Sequence, residues 1–304
     1  MLLSAKVFKL LFIEITTVLY RDRIVQVNEK IQISILVDNN TKPDLKKEHG
    51  FSVWIGVSGH RILFDTGQGQ ALIYNSASLG CDLSLADALI LSHGHYDHTG
   101  SVSHVLNHNP IMKVYCHSDV LLPRYSIQDI AVPKDISMSA VDKTAILDLP
   151  IGQVCWIAHP ERIYPNIGLS GPIPRIHSLE NTGGPFFLDQ EGTRPDPIED
   201  DMAMWIQSER GLIIITGCCH SGLINTVNHV RRVSGEEKIS AIIGGFHLSH
   251  ASYQRLEATC QALQEWNVDT IIPCHCTGDE AVVLMQNKLG GKVVQGYAGL
   301  VWKQ

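Results

Sequence analysis

Four apolar runs in this chain each lead into a loop that carries a histidine. Ala88-Leu89-Ile90-Leu91 runs to His93, Leu212 to Thr216 runs to His220, Ala241-Ile242-Ile243 runs to His247, and Thr270-Ile271-Ile272 runs to His275. Runs of this length and branched content read as buried strands. Ligand sites in α/β sheets gather just outside strand ends, so one rim of the sheets has to collect these loops. That requirement constrains the fold more than composition does.

The first of the four loops is the densest. It reads His93-Gly94-His95-Tyr96-Asp97-His98. Residues two apart in an extended segment project to one side, so His93 and His95 can grip one ion while Asp97 and His98 turn toward a second. Of the later histidines, His220 and His275 rank as ligands, and His247 fits better as a group that faces substrate.

The rest of the chain supports a large α/β unit. Its 304 residues read as one domain, 1–304, because neither a repeat nor a clear linker divides them. Strands are expected at Ile31–Val37, Phe51–Val57, Arg61–Phe64 and Ala88–Leu91, and a hairpin joins Met202–Gln207 to Leu212–Thr216. Leu256, Cys260, Leu263 and Trp266 recur at helical spacing. Between about 125 and 201 the pattern loses periodicity and becomes rich in proline, which predicts a long covering loop.

Several classes drop out. A formal charge of -7 supplies no basic field, so nucleic acid is not expected as a partner. No apolar stretch is long enough to span a membrane. The apolar first twenty residues contain Lys6, Lys9 and Glu14 and lack a cleavage site, which predicts an extra strand or helix rather than a signal peptide. The eight cysteines are expected to be reduced thiols in a cytoplasmic protein.

The hexapeptide, the earlier Ile62-Leu63-Phe64-Asp65-Thr66-Gly67 and the later histidine loops resemble the metallo-β-lactamase superfamily of binuclear metal hydrolases. Glu48-His49-Gly50-Phe51-Ser52, Gly171-Pro172-Ile173-Pro174-Arg175, Gly217-Cys218-Cys219-His220 and Pro273-Cys274-His275-Cys276-Thr277-Gly278 are similar to its 7,8-dihydropterin-6-methyl-4-(β-D-ribofuranosyl)-aminobenzene-5'-phosphate synthase-like branch. The resemblance implies a four-layer αβ/βα sandwich with the metals at one rim. It implies His93, His95 and His220 around one ion, Asp97, His98 and His275 around the other, and Asp65 orienting a ligand histidine.

One departure matters. Where many members read Thr-Gly-Asp and bridge both metals through the aspartate, this chain reads Thr216-Gly217-Cys218. The bridging position falls to His220 or to a thiolate of Cys218 or Cys219, or else stays empty. Sulfur would favour zinc, whereas nitrogen and oxygen alone also admit manganese or iron. Two divalent ions are expected to activate a shared water for hydrolysis, with Asp97 steering the hydroxide and His247 assisting the leaving group. Arg175, aided by His177, would hold a phosphate on a small-molecule substrate. The alternatives are the synthase-type transferase implied by the branch and a metal-binding sensor without turnover.

Overall fold

The computed structural model describes residues 30–128 and 132–304. The expectation for the first twenty residues lies outside them. Strands β1 (Gln32–Val37), β2 (Ser52–Val57) and β3 (His60–Phe64) are followed by helix α1 (Gln70–Ser78), β4 (Ala88–Ile90), α2 (Tyr96–Thr99), α3 (Val102–His108) and β5 (Lys113–Cys116). Next come β6 (Tyr125–Ser126), β7 (Lys134–Asp135), α4 (Ala140–Leu147), β8 (Val154–Trp156), β9 (Glu161–Tyr164), β10 (Ile167–Leu169) and β11 (Phe186–Phe187). The chain finishes with β12 (Met204–Ser208), β13 (Gly211–Thr216), α5 (Leu223–Ser234), β14 (Ile239–Gly245), α6 (Tyr253–Glu265), β15 (Thr270–Cys274), α7 (Asp279–Leu289) and β16 (Val301–Lys303).

These strands form two large sheets, ordered β16-β1-β2-β3-β4-β5-β8 and β15-β14-β13-β12-β10-β9, and a small one, β11-β6-β7. Alternate residues sort each large sheet into two buried faces, which is why its strands read as continuous apolar runs. Ile33, Ile55, Ile62 and Ile90 from one sheet meet Met204, Ile213, Ile243 and Ile272 from the other. On the outer face of the first sheet, Leu63 and Leu89 pack with Leu72, Val102, Val105 and Ile146 of the helices. Ile214 and Ile242 of the second pack outward with Val227, Leu263 and Met285. The architecture is therefore helix, sheet, sheet, helix: an αβ/βα sandwich.

The region from 125 to 201 differs from the single covering loop expected of it. Its prolines interrupt rather than prevent regular structure: α4 caps the first sheet, β8 adds an edge to it, and β9 and β10 add an edge to the second. The small sheet β11-β6-β7 and the stretch after β10 lie over the rim. Strands β4, β13, β14 and β15 lie in the parallel parts of the two sheets, and the four histidine loops leave their carboxyl ends.

Candidate metal centre

The loop after β4 is held from behind. Gly94 packs so close to Val120 that a Cβ would stand 2.4 Å from its carbonyl oxygen, and its own N–H donates to Asp200 Oδ2 at 2.8 Å. Asp200 is in turn gripped by Arg124, which donates from Nη1 and Nη2 at 2.9 and 2.6 Å, while Asp196 lies 3.0 Å from Nε. All three side chains are buried. A paired, desolvated guanidinium is a stiff brace, because loss of either sign leaves a buried charge uncompensated.

That brace fixes two imidazoles edge to edge. His93 Nε2 and His95 Nδ1 stand 3.0 Å apart, and His93 Nδ1 is tied to Ser92 Oγ at 2.9 Å. The ring of His220 arrives from β13 with its centroid 4.9 Å from both. Its Nδ1 is 2.8 Å from the Thr182 carbonyl, while its Nε2 is buried without a partner among the described residues. Burial, followed by the neighbouring histidines, holds the pKa values of His93 and His220 well below the ordinary imidazole range. Burial likewise lowers that of His95, seconded by Arg124. Neutral imidazoles are the form that binds metal.

The other half of the cluster is ionic. Asp97 Oδ2 lies 3.2 Å from His275 Nε2 and 3.1 Å from His49 Nε2. Burial alone would raise the pKa of Asp97, but His98, His275 and His49 outweigh it and hold the carboxyl well below its usual range. His98 Nδ1 is 2.7 Å from Asp65 Oδ2. Burial opposes charge on His98, yet Asp65 and Asp97 push its pKa up to about 9. An ion bound at its Nε2 therefore displaces a proton. Asp65 is fully buried and also accepts from Ser92 N and Oγ, at 2.7 Å each, so it orients two residues of the cluster at once. His275 is placed by Asp38, which accepts its N–H at 2.8 Å, and by Asn39 Oδ1, 2.9 Å from its Nδ1.

Cys218 stands between the halves. Its thiol belongs to one triad with His93 and His220 and to another with His98 and His275, the donor atoms within each lying within 4.8 Å of one another. It is 3.1 Å from His98 Nε2. Cys219 faces the opposite way, with its sulfur 3.2 Å from Thr226 Oγ1. Asp65, Cys219, His247 and His275 all adopt positive φ, between 46° and 63°. Such backbone is costly for residues other than glycine, and its clustering here marks a constrained site.

The cavity above these groups measures about 780 Å³ and is lined by His95, Asp97, Cys218, His220, His247 and His275 among others. Phe186 roofs it, its ring centroid 5.3 Å from those of His95 and His220. Gly183 passes so close to His247 that a Cβ would meet the ring at 2.0 Å, and its φ of +85° suits glycine alone. The structure thus brings together His93, His95, Asp97, His98, His220, His275, Asp65 and His247.

It does not bring in Arg175 or His177. The guanidinium of Arg175 donates to the carbonyls of His220, Pro197 and Ile198, so the expected phosphate fork is spent on bracing backbone. His177 lines a separate cleft with Asn225 and Arg232. Sequence reasoning also missed His49, Asn39 and Asp38. The signal for His49 was its place in the Glu48-His49-Gly50 motif, since it stands well beyond the end of β1 at Val37 rather than directly at a strand end.

A family model for the metallo-beta-lactamase superfamily matches residues 46–200. The chain belongs to this superfamily. An uncharacterized protein of Methanocaldococcus jannaschii is 32% identical over 272 residues, 88% of this chain and 98% of its own. The 7,8-dihydropterin-6-methyl-4-(beta-D-ribofuranosyl)-aminobenzene-5'-phosphate synthase of the same organism is 29% identical over 268 residues, covering 84% of this chain and 90% of the synthase. Among solved structures, a metal-dependent hydrolase of the beta-lactamase superfamily superposes with a TM-score of 0.76 at 30% identity, covering 90% of this chain and 98% of that one. The superfamily fold is one that binds divalent metal and acts on small molecules, and the converging imidazoles, carboxylate and thiol of this chain fit that chemistry. Among the described residues no helix is long and apolar enough to cross a membrane.

Proposed function

We propose that this protein is a binuclear metal-dependent hydrolase that cleaves a phosphoester in a small phosphorylated molecule. The observation that carries the reading is that two imidazole pairs, His93 with His220 and His98 with His275, each close a donor triad on Cys218 beneath one cavity. In this reading His93, His95 and His220 would hold one ion, Asp97, His98 and His275 would hold the second, and Cys218, whose sulfur lies within 4.8 Å of donors from both sets, would add a thiolate ligand. The mixture of imidazole, carboxylate and sulfur suits zinc, with manganese or iron as alternatives. Divalent ions held by these residues would supply Lewis acidity, making water a better nucleophile near neutral pH and neutralising charge that develops on the phosphoryl oxygens.

The chain's own groups do the rest. Asp97, clamped by His49 and His275, accepts a hydrogen bond from the attacking water and orients it. As the water oxygen bonds to phosphorus its proton leaves past Asp97 to solvent, the bond from phosphorus to the departing alcohol breaks, and His247 at the cavity wall delivers a proton to that alcohol oxygen and regains one from solvent. Phe186 keeps bulk water from the imidazoles beneath it. Eight free thiols fit the reducing cytoplasm.

The test is elemental analysis joined to product analysis. Wild-type protein should carry two ions per chain and release alcohol and phosphate from phosphoester substrates. His93→Ala and His275→Ala should each lose metal and activity together; unchanged metal content in either would remove that residue from the centre. The likeness to the Methanocaldococcus jannaschii synthase favours a second reading, transfer onto a pterin, for which a joined product replaces the hydrolysed one.

A further inference from the structure

A second cavity of about 460 Å³ adjoins the first, and Gly183, Gly184, His247 and His250 line both. Its floor is Arg255 of α6, which is only 3% exposed. Nη1 of this guanidinium donates to Asn181 Oδ1 at 3.0 Å, but Nε and Nη2 are buried with no partner among the described residues. Those two nitrogens form one edge of the guanidinium, with parallel N–H bonds, and this is the edge that grips phosphate or carboxylate in a bidentate pair. The nearby carboxylate of Glu180 attracts Arg255 through space, but its hydrogen bonds run to the N–H groups of Ile224 and Asn225 at 2.8 Å each, so it leaves the guanidinium edge without an acceptor. A buried charge with two idle donors is costly unless an anion completes it. Ser252, the N-cap of α6, lines the same cavity, and the first turn of that helix holds no acidic residue, so its dipole adds to the attraction.

We infer that this cavity receives a second, non-reacting oxyanion of the substrate, a phosphate or a carboxylate, paired with Arg255. The inference deepens the hydrolase reading and rests on it for the position of the bond that breaks. The substrate is then a small molecule with an anionic group one side-pocket away from that bond, and His247 stands between the two ends.

Calorimetric titration of the metal-loaded protein with inorganic phosphate, and separately with acetate, tests this without turnover. Arg255→Gln should weaken binding of the preferred anion at least tenfold, and the tighter of the two anions in wild type identifies the group. Arg255→Lys keeps the charge but loses the fork; it should also bind at least several-fold more weakly, and it serves if the Gln variant fails to fold. Asp97→Asn should leave this binding in place. Binding that survives in both Arg255 variants, or that vanishes only in Asp97→Asn, puts the anion on the metal centre and overturns the inference. Arg255-dependent anion binding without any phosphoester cleavage would sink the hydrolase reading and leave the side-pocket standing.

Discussion

Cys218 is the residue on which the proposed chemistry of this centre turns, because its sulfur lies within 4.8 Å of donors of both His93 with His220 and His98 with His275. Burial, followed by the hydrogen bond to Cys276, pushes the pKa of the Cys218 thiol well above its ordinary value, so ion binding at that sulfur releases a proton. Cobalt-substituted wild-type protein should show sulfur-to-metal charge-transfer absorption, and Cys218→Ser should abolish it; an unchanged spectrum would place the sulfur outside the coordination sphere. Asp65 acts one step back, through His98. Asp65→Asn should lower metal affinity by about 10–100-fold while the fold persists, read by competition with a chromophoric chelator. The hexapeptide and Asp65 were legible because their spacing is itself the chemistry. The choice between Cys218 and Cys219 was not, since adjacent thiols differ only in which way the backbone throws them. Arg175 misled for a related reason: a lone arginine in a loop does not reveal whether its fork meets a ligand or carbonyls of its own chain.

The strands and the hairpin were readable as elements, because two buried faces force apolar residues at successive positions, and β1 to β4 and β12 to β13 fall within a residue or two of expectation. The α6 stripe was readable too, with Cys260 and Leu263 buried against the second sheet. What resisted was the proline-rich middle, whose strands of two to four residues carry too little periodicity to announce themselves. Yet that segment supplies Asp196 and Asp200, which with Arg124 at its threshold form the brace behind the loop after β4. Arg124→Met should cost about 3–5 kcal/mol in denaturant unfolding, since it strands two buried carboxylates. The same variant should hold metal less tightly, because Asp200 no longer fixes Gly94. A loss below about 1 kcal/mol would mean that the carboxylates find protons or water instead.

At the scale of the whole molecule, three apolar clusters build the sandwich without using the metal-facing side chains. Chelation should therefore lower the melting temperature while leaving far-ultraviolet circular dichroism near its native shape, with a stability loss of about 4 kcal/mol if the free ion stands at a thousand times its dissociation constant. Loss of secondary structure on chelation would instead make the ion part of the fold. The donors come from both ends of the sequence, with His93 to His98 in the first third and His275 near the finish. Strand β16 closes beside β1, pairing Gln32 with Lys303, and Asp38, just beyond β1, accepts the His275 amide. A chain leaving the ribosome can thus display the hexapeptide long before it owns the partners that complete the cage. Completion of the cage waits on strand β15: only when it lies beside β14 can the amide of His275 meet Asp38, a residue synthesised more than two hundred positions earlier.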